Sequence, residues 1–255
     1  MGHLRNEQKR LLEQKIQKTV EWLREQVVQS HTRGLILGIS GGIDSAVVGF
    51  LIKMACPDNS LGVIMPIKSS EKDMEHAKEL VEKADLTHMT LDLTQAHSLM
   101  LSTVKETMQD AWREDFARIS DANTRARLRM TGLYTIANNL GYLVVGTDNA
   151  AEIYTGYFTK YGDGGVDVLP IAHLKKSEVY EWAEYLGVPQ SILDKAPSAD
   201  LWEGQTDEIE MGTTYRCIDA FLDGQEVPEK DREVIERLHR NSEHKRHTAT
   251  VPPEF

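Results

Sequence analysis

The sequence predicts an α/β fold: a doubly wound, mostly parallel sheet with helices on both faces. Short apolar runs alternate with longer stretches of helical periodicity, which is the pattern of a parallel sheet covered on both sides. The predicted strands lie at residues 35–39, 61–67, 88–93 and 142–146. A chain of 255 residues can bury a substantial core, so we expect one domain over residues 1–255.

Helical periodicity predicts a first helix over roughly residues 4–29, and further helices over 45–54 and 71–83. The apolar face of the first helix packs either on its own chain or on a partner subunit; it consists of Leu12, Ile16, Val20, Leu23 and Val27. Two later segments lack periodicity. We predict an ordered loop over residues 155–170 and a mobile lid over residues 195–214.

Charge and apolar patterning exclude several classes of partner. The chain has 29 Lys and Arg against 40 Asp and Glu, a net charge of −11, which argues against binding nucleic acid or an anionic membrane. We expect no membrane span and no signal peptide, because no long apolar run is present. Cys56 and Cys217 show no framework spacing, so we expect packing roles and a reducing, cytoplasmic location.

A glycine-rich loop follows the first predicted strand; it consists of Gly38, Ile39, Ser40, Gly41, Gly42, Ile43, Asp44 and Ser45. Adjacent glycines bring backbone amides close to an anion, and the positive end of the following helix points to the same place. The lysine of a P-loop is absent, and the dinucleotide fingerprint does not fit. The loop therefore predicts a phosphate site of another kind. A plain turn with Asp44 near the helix cap is the structural alternative.

The pattern S-G-G-x-D-S resembles the PP-loop of the ATP pyrophosphatases, which holds the leaving pyrophosphate of ATP. Four further segments resemble the NAD synthetases in the family's order: residues 123–130, 144–170, 196–201 and 242–246. The resemblance implies an adenine nucleotide alpha hydrolase-like fold and ATP-dependent amidation of deamido-NAD by ammonia, the last step of NAD biosynthesis. It also implies an NAD-adenylate intermediate, release of AMP and pyrophosphate, Mg²⁺ as cofactor and a homodimer. We expect free ammonia, or a separate donor protein, to supply the nitrogen, because 255 residues leave no room for a glutaminase domain.

The same resemblance assigns roles to residues inside and outside the loop. ATP is expected at the loop and at Thr147, Lys176 and Ser198, with Ser198 replacing the usual threonine. Asp44 and Glu152 correspond to magnesium ligands, and a carboxylate beside triphosphate requires a divalent cation between them. Lys176 is expected to offset charge on the leaving pyrophosphate. The positions that correspond to deamido-NAD contacts are Arg127, Lys160, Asp167, His244 and Lys245.

Asp163, in the predicted loop, is a candidate for handling ammonia. Ammonium must lose a proton before it attacks an acyl group, so we expect Asp163 to bind ammonium and assist its deprotonation. Glu152 is four residues from Asp148, and a helix would place both on one face. The spacing of His244 and His247 could suggest zinc, but no cysteine or further ligand lies nearby in the sequence.

Two other functions remain open from the sequence alone. A tRNA-modifying or purine-amidating enzyme with the same loop would need a basic surface or a cysteine pair for sulfur transfer, and the chain has neither. A regulatory protein that senses ATP without turnover would leave Glu152, Asp163 and His244 without a role.

Overall fold

A parallel sheet forms the centre of the structure, a computed structural model that describes residues 6–198 and 206–254. Within these residues the sheet has four strands, in the order β3-β2-β1-β4. They are β1 (Gly34–Ile39), β2 (Ser60–Ile64), β3 (His88–Thr90) and β4 (Tyr142–Val145). The predicted parallel sheet is confirmed. The second and third strands end earlier than predicted, at Ile64 and Thr90.

Helices precede and connect the strands and continue after the last one. The first five are α1 (Asn6–Gln29), α2 (Ile43–Ala55), α3 (Glu71–Lys83), α4 (Thr94–Met108) and α5 (Ala117–Leu140). Those after β4 are α6 (Ala150–Thr155), α7 (Lys176–Leu186), α8 (Gln190–Leu193), α9 (Asp207–Met211), α10 (Tyr215–Leu222) and α11 (Glu229–Asn241). None of these described helices could cross a membrane.

The predicted lid over residues 195–214 is described only in part. Residues 199–205 lie outside the described residues, and residues 207–211 form the short helix α9 rather than irregular chain. The lid therefore stays a prediction.

Alternate residues of the central strands point to opposite faces of the sheet and enter two apolar clusters. Leu35, Leu37 and Ile39 pack with residues of α1, α2 and α7 on one face. On the other face, Ile36 and Val63 pack against residues of α5. The sheet is thus covered by helices on both sides, as the near-continuous apolar strand sequences predicted.

Helix α1 packs on its own chain. Leu12, Ile16, Val20 and Leu23 of the predicted apolar face are buried in the cluster that contains α2, and Val27 is partly buried against it. Of the two alternatives left open by the sequence, the structure therefore shows the first, in which this face contributes to the core of the same chain.

The strand order creates a switch point between β1 and β4. β1 pairs with β2 on one side and with β4 on the other, in parallel register from Gly34 with Tyr142 to Leu37 with Val145. Ligands of open α/β sheets bind outside the carboxyl ends of the strands at such a point. The glycine-rich loop after β1 and Thr147 after β4 meet at this edge.

Candidate active site

The glycine-rich loop turns sharply between β1 and α2. Gly41 has a φ of +77°, and a Cβ there would lie 2.9 Å from the carbonyl oxygen of Asp73, so both conformation and space require glycine. Ser40 Oγ lies 3.0 Å from Ser45 Oγ and accepts a hydrogen bond from the Gly42 amide at 3.2 Å. Two hydroxyl groups are therefore held side by side in the loop.

Helix α2 presents its positive end to this loop. It begins at Ile43, with Gly42 as N-cap and no side chain capping it, so its first amides keep the capacity to bind an anion. Asp44 is the second residue of the helix, and its carboxylate does not serve as the cap. Asp44 lies near the N-cap, as the structural alternative also has it, so its role as a magnesium ligand stays a prediction.

Lys176, the first residue of α7, joins two carboxylates from distant parts of the chain. Its Nζ lies 2.6 Å from Asp44 Oδ2 and 3.2 Å from Glu152 Oε1, and its side chain is only 3% exposed. Burial acts to lower the pKa of Lys176, but the charges of Asp44 and Glu152 outweigh it and raise the pKa. The ammonium group is charged, and three residues predicted for the ATP and metal site lie together.

The carboxyl group of Glu152 titrates near neutral pH. Burial raises its pKa to about 7, the charge of Lys176 acts in the opposite direction, and the charge of Asp44 adds to the rise. A divalent cation beside Glu152 would displace its proton, because metal ligands bind in their deprotonated form. Cation binding here should therefore strengthen as the pH rises through about 7.

Asn149, which the sequence analysis missed, orients both carboxylates. Its Nδ2 donates to Asp44 Oδ1 at 2.8 Å, and its backbone N–H donates to Glu152 Oε2 at 3.1 Å. Asn149 is the N-cap of α6, and its Oδ1 accepts from the Glu152 amide. Each carboxylate thus has one oxygen held by Asn149 and the other by Lys176. The capping-box spacing N-x-x-E was the sequence signal that could have found it.

Asp148 lies outside α6, so the prediction that it shares a helix face with Glu152 is wrong. The helix begins at Ala150, after the cap residue. Asp148 is nevertheless close to the other acids. Burial, followed by the charges of Asp163 and Glu152, raises the pKa of its carboxyl group well above the ordinary value.

Tyr215 connects the site to the C-terminal helices, and no sequence motif pointed to it. Its hydroxyl lies 3.2 Å from Glu152 Oε1 and 2.9 Å from Asp207 Oδ2, and its ring centroid lies 4.6 Å from Lys176 Nζ. A single hydroxyl hydrogen can serve only one carboxylate at a time. Burial raises the pKa of Asp207 as well, so the hydroxyl bridges two carboxyl groups that both hold protons more tightly than usual.

The start of α7 is held by a carboxylate from α10. Asp219 accepts from the backbone amides of Lys176 at 3.1 Å and of Ser177 at 2.9 Å. Two charge-assisted hydrogen bonds restrain the first turn of the helix. The position of the Lys176 side chain therefore depends on how α7 packs against α10.

Asp163 lies in the loop that the sequence predicted to be ordered. Its two carboxylate oxygens accept from the Thr159 amide at 3.1 and 3.2 Å. The residue as a whole is exposed, but the surrounding protein partly withdraws its carboxyl group from water, and this raises the pKa of that group. Hydrogen bonds within the loop and the charge of Lys245 act in the opposite direction. The loop thus directs Asp163 towards Asp148 and Lys245.

Four residues predicted to contact deamido-NAD form one cluster between this loop and the C-terminal segment. Lys160 Nζ donates to the carbonyl oxygen of His244 and, at 2.9 Å, to that of His247. Lys245 Nζ donates to two carbonyl oxygens that follow α6, at 2.8 and 2.6 Å. Arg127 Nε donates to the Lys160 carbonyl at 3.4 Å. These cations bind the two segments together.

Asp167, the fifth residue, lies beside α5 instead. It accepts from the hydroxyl group of Tyr134 and from the Val144 amide, both at 2.8 Å. Thr147 lies just after β4 at the switch point, and Ser198 is the last described residue before residue 206. Their ligand contacts stay predictions.

The donor set of the site consists of two carboxylates, which are ligands that Mg²⁺ takes in proteins. In the described part of the chain, no group of three or more His, Cys, Asp and Glu could hold a metal ion. Mg²⁺ needs fewer protein ligands, because phosphate oxygens and waters complete its shell around one or two carboxylates. Asp44 and Glu152 supply two carboxylates that already converge on one cation, the Lys176 ammonium.

The sequence model of the NAD synthase family matches residues 15–249. The chain belongs to the NAD synthase family. The NH(3)-dependent NAD(+) synthetase of Alkaliphilus oremlandii (strain OhILAs) is 60% identical over 244 residues, which cover 95% of this chain and 96% of that protein. Curated relatives in the NAD synthase family are ligases, and this protein is an enzyme of the same class.

Solved structures show the same fold. NMN synthetase from Francisella tularensis matches with a TM-score of 0.89 at 42% identity, over 94% of this chain and 98% of that one. The NH3-dependent NAD synthetase from Campylobacter jejuni, in complex with the nitrate ion, matches with a TM-score of 0.76 at 27% identity, over 95% of this chain and 99% of that one. The α/β fold and the family predicted from the sequence are both confirmed, and a tRNA-modifying enzyme or an ATP sensor has no support.

Proposed function

We propose that the protein makes NAD by ATP-dependent amidation of deamido-NAD with ammonia, through an NAD-adenylate, and releases AMP and pyrophosphate. The observation that carries the proposal is the buried Lys176, which joins Asp44 and Glu152 beside the glycine-rich loop. A carboxylate does not react with ammonia directly, so it must first gain a leaving group. A site built for triphosphate and a cation can supply that activation.

In the first step, the nicotinate carboxylate attacks the α phosphorus of ATP, and the bond to pyrophosphate breaks. The hydroxyl groups of Ser40 and Ser45 and the first amides of α2 bind the departing pyrophosphate. Lys176 offsets its negative charge. Asp44 and Glu152 would hold Mg²⁺, whose charge neutralises the phosphate oxygens.

In the second step, ammonia attacks the acyl carbon of the adenylate, and AMP leaves. Asp163 binds ammonium and accepts a proton from it, which leaves neutral ammonia as the nucleophile. The raised pKa of Asp163 suits this task, because a more basic carboxylate accepts a proton more readily from ammonium. Arg127, Lys160, His244, Lys245 and Asp167 are proposed to bind the dinucleotide.

The Asp163→Asn variant tests the second step. We expect turnover at subsaturating ammonium to fall by about 10²-fold at pH 7 and to recover partly towards pH 9, where more free ammonia is present. Release of pyrophosphate in a single turnover should stay within about twofold, because adenylation precedes the use of ammonia. If the variant turned over at the wild-type rate at every pH from 7 to 9, Asp163 would have no part in the mechanism.

A direct assay tests the whole proposal. Purified protein is mixed with ATP, Mg²⁺, ammonium and deamido-NAD, and NAD, AMP and pyrophosphate are measured. Equal amounts of all three products are expected. A folded protein that forms none of them would contradict the proposal. A reducing, cytoplasmic location is also part of the proposal, and it is supported by Cys56 and Cys217, which are both free.

A second candidate substrate is a mononucleotide that carries the same nicotinate carboxylate. It is favoured by the NMN synthetase from Francisella tularensis, which has higher identity and a higher TM-score than the Campylobacter jejuni NAD synthetase. Parallel measurement of kcat/KM for nicotinate mononucleotide and deamido-NAD decides between them. A higher value for the mononucleotide would replace deamido-NAD as the main substrate and leave the two chemical steps unchanged.

A homodimer is also part of the proposal, and a cluster of exposed apolar residues on α4 and around the start of α5 supports it. Leu99 is 70% exposed, Ile119 57% and Phe116 50%, with Met100, Val104 and Met108 alongside. We expect Ile119→Lys to shift sedimentation from dimer to monomer. Val28→Lys on α1, a residue that is 72% exposed outside this cluster, is the control. A wild-type monomer at every concentration would count against the dimer.

A further inference from the structure

Arg129, on α5, carries a partly buried positive charge that the steps above do not use. Its Nε donates to the carbonyl oxygen of Met65 at 3.0 Å. No other hydrogen bond or ion pair joins its guanidinium to residues 6–198 or 206–254. The two terminal nitrogen atoms, Nη1 and Nη2, therefore remain available as a planar pair of donors.

The anchor of Arg129 lies beside the glycine-rich loop. Gly38 pairs with Val63 and Ile39 with Ile64, so Met65 lies level with Ser40 at the carboxyl edge of the sheet. A Cβ on Gly38 would lie 3.1 Å from Met65 Cε, so the Met65 side chain packs against the loop. Arg129 reaches this edge from the α5 layer.

Lys176 reaches the same edge from the opposite layer. Helix α7 packs with α2 on one face of the sheet, whereas α5 covers the other face. The two cations thus belong to helices on opposite faces of the sheet, near its carboxyl edge, where ligands of such sheets bind. Lys176 pairs with residues that follow β1 and β4, and Arg129 with the residue that follows β2, so a negatively charged group at the end of β1 would have a cation on each side.

The surroundings of Arg129 do not neutralise its charge. Burial, followed by the charge of Arg125, lowers its pKa to about 10, and the charge of Asp163 acts in the opposite direction. Arg125 itself forms an ion pair with Asp121. Partial withdrawal of an unpaired charge from water is unfavourable, and a bound anion would reduce this cost.

We propose that the guanidinium of Arg129 binds an oxyanion of a bound substrate, either a phosphate group or the nicotinate carboxylate. This inference rests on the proposed function, which supplies both anions. The two terminal nitrogens can donate in parallel to two oxygens of either group. Arg129 then holds the substrate from the side opposite Lys176 and contributes positive charge during attack on the α phosphorus.

Thermal unfolding of Arg129→Met, with and without ligands, tests the inference. We expect the Tm without ligand to equal or exceed that of wild type, because an unpaired charge has been removed. Ligand affinity should fall by about tenfold or more. Arg240→Met is the matched control, since Arg240 is exposed and pairs with Glu236 on α11. Arg240→Met should have the same Tm and the same ligand affinity as wild type.

Three ligand arms identify the anion: ATP with Mg²⁺, deamido-NAD, and NAD, which lacks the nicotinate carboxylate. Weaker binding of ATP, or of both dinucleotides alike, identifies a phosphate group. Weaker binding of deamido-NAD alone identifies the carboxylate. If the methionine variant fails to fold, Arg129→Lys keeps the charge and removes the planar donor pair, and it should show an intermediate loss.

Two results would overturn the inference, and they are distinguishable. Unchanged affinity of the variant for every ligand, whether or not its Tm falls, would leave Arg129 without a role in binding and leave the proposed function intact. Wild-type protein that is not stabilised by any of the three ligands would overturn the proposed function and this inference together.

Discussion

Asp44→Asn should lower the rate of NAD synthesis by at least about 10³-fold while the protein remains folded. The substitution removes a negative charge 2.6 Å from Lys176 Nζ and one of the two carboxylates that would hold Mg²⁺. The side chain keeps its size, and Asn149 can still donate to its oxygen. The loss should therefore lie in adenylation, measured as pyrophosphate released in a single turnover.

Asp58→Asn is the control for this variant, because Asp58 is exposed in the turn after α2. Circular dichroism and Tm of both variants should match wild type closely. Asp44 would lose its proposed role if pyrophosphate release remained within about tenfold of wild type. The same would follow if the rate changed while its dependence on Mg²⁺ did not.

Lys176→Met should both inactivate and destabilise the protein. Asp44 and Glu152 would then face each other in a buried site without a counter-charge, and breaking such a pairing costs about 3–5 kcal/mol of the free energy of unfolding. Mg²⁺ should raise the Tm of this variant more than that of wild type, because the two carboxylates gain a cation. Urea unfolding measures the free energy of unfolding, thermal unfolding with and without Mg²⁺ measures the Tm, and the assay of NAD formation measures the loss of activity.

The pH dependence of the same variant follows from Glu152. Its raised pKa means that the folded state binds a proton more tightly than the unfolded state, so stability falls as the pH rises from the ordinary carboxyl range to about 7. Without the charge of Lys176, which lowers this pKa, the window should extend to higher pH. The free energy of unfolding should therefore recover more in the variant than in wild type on acidification from pH 8 to pH 6.

Lys53→Met is the matched control, since Lys53 forms an ion pair with the exposed Asp85. Its free energy of unfolding should change by less than about 0.5–1 kcal/mol, with no effect of Mg²⁺. Equal stability of Lys176→Met and wild type in the absence of Mg²⁺ would mean that the buried ion pairs do not hold the site together.

Local pattern was enough to predict the layers of the fold. The strand candidates are short apolar runs separated by helical stretches, and a parallel sheet is the arrangement that buries such strands on both faces. Strand ends were less predictable. Met65 and Ile67 continue the apolar run of β2 and are buried, but they lie beyond the last residue that pairs with β1.

Some site residues could be predicted because their signals are local or because the family resemblance supplied them. The glycine-rich loop with Asp44, and residues 144–170 with Glu152, are two of the five segments that resemble the NAD synthetases. Asn149 carried a local signal as well, in its capping box, and was missed. Asp148 was placed on a helix that in fact starts two residues later, because residue spacing does not reveal where a helix begins.

Amino-acid sequence alone determined the sheet architecture, the glycine-rich loop and the family of this protein, because each depends on patterns of neighbouring residues. Tertiary structure decided which side chains share one site. Tyr215 and Lys176 reach Glu152 only because α10 and α7 pack near the carboxyl edge of the sheet. Arg129 reaches the opposite side through a hydrogen bond to Met65. Such contacts join residues far apart in the chain, and the burial that shifts their pKa values exists only once the chain has folded.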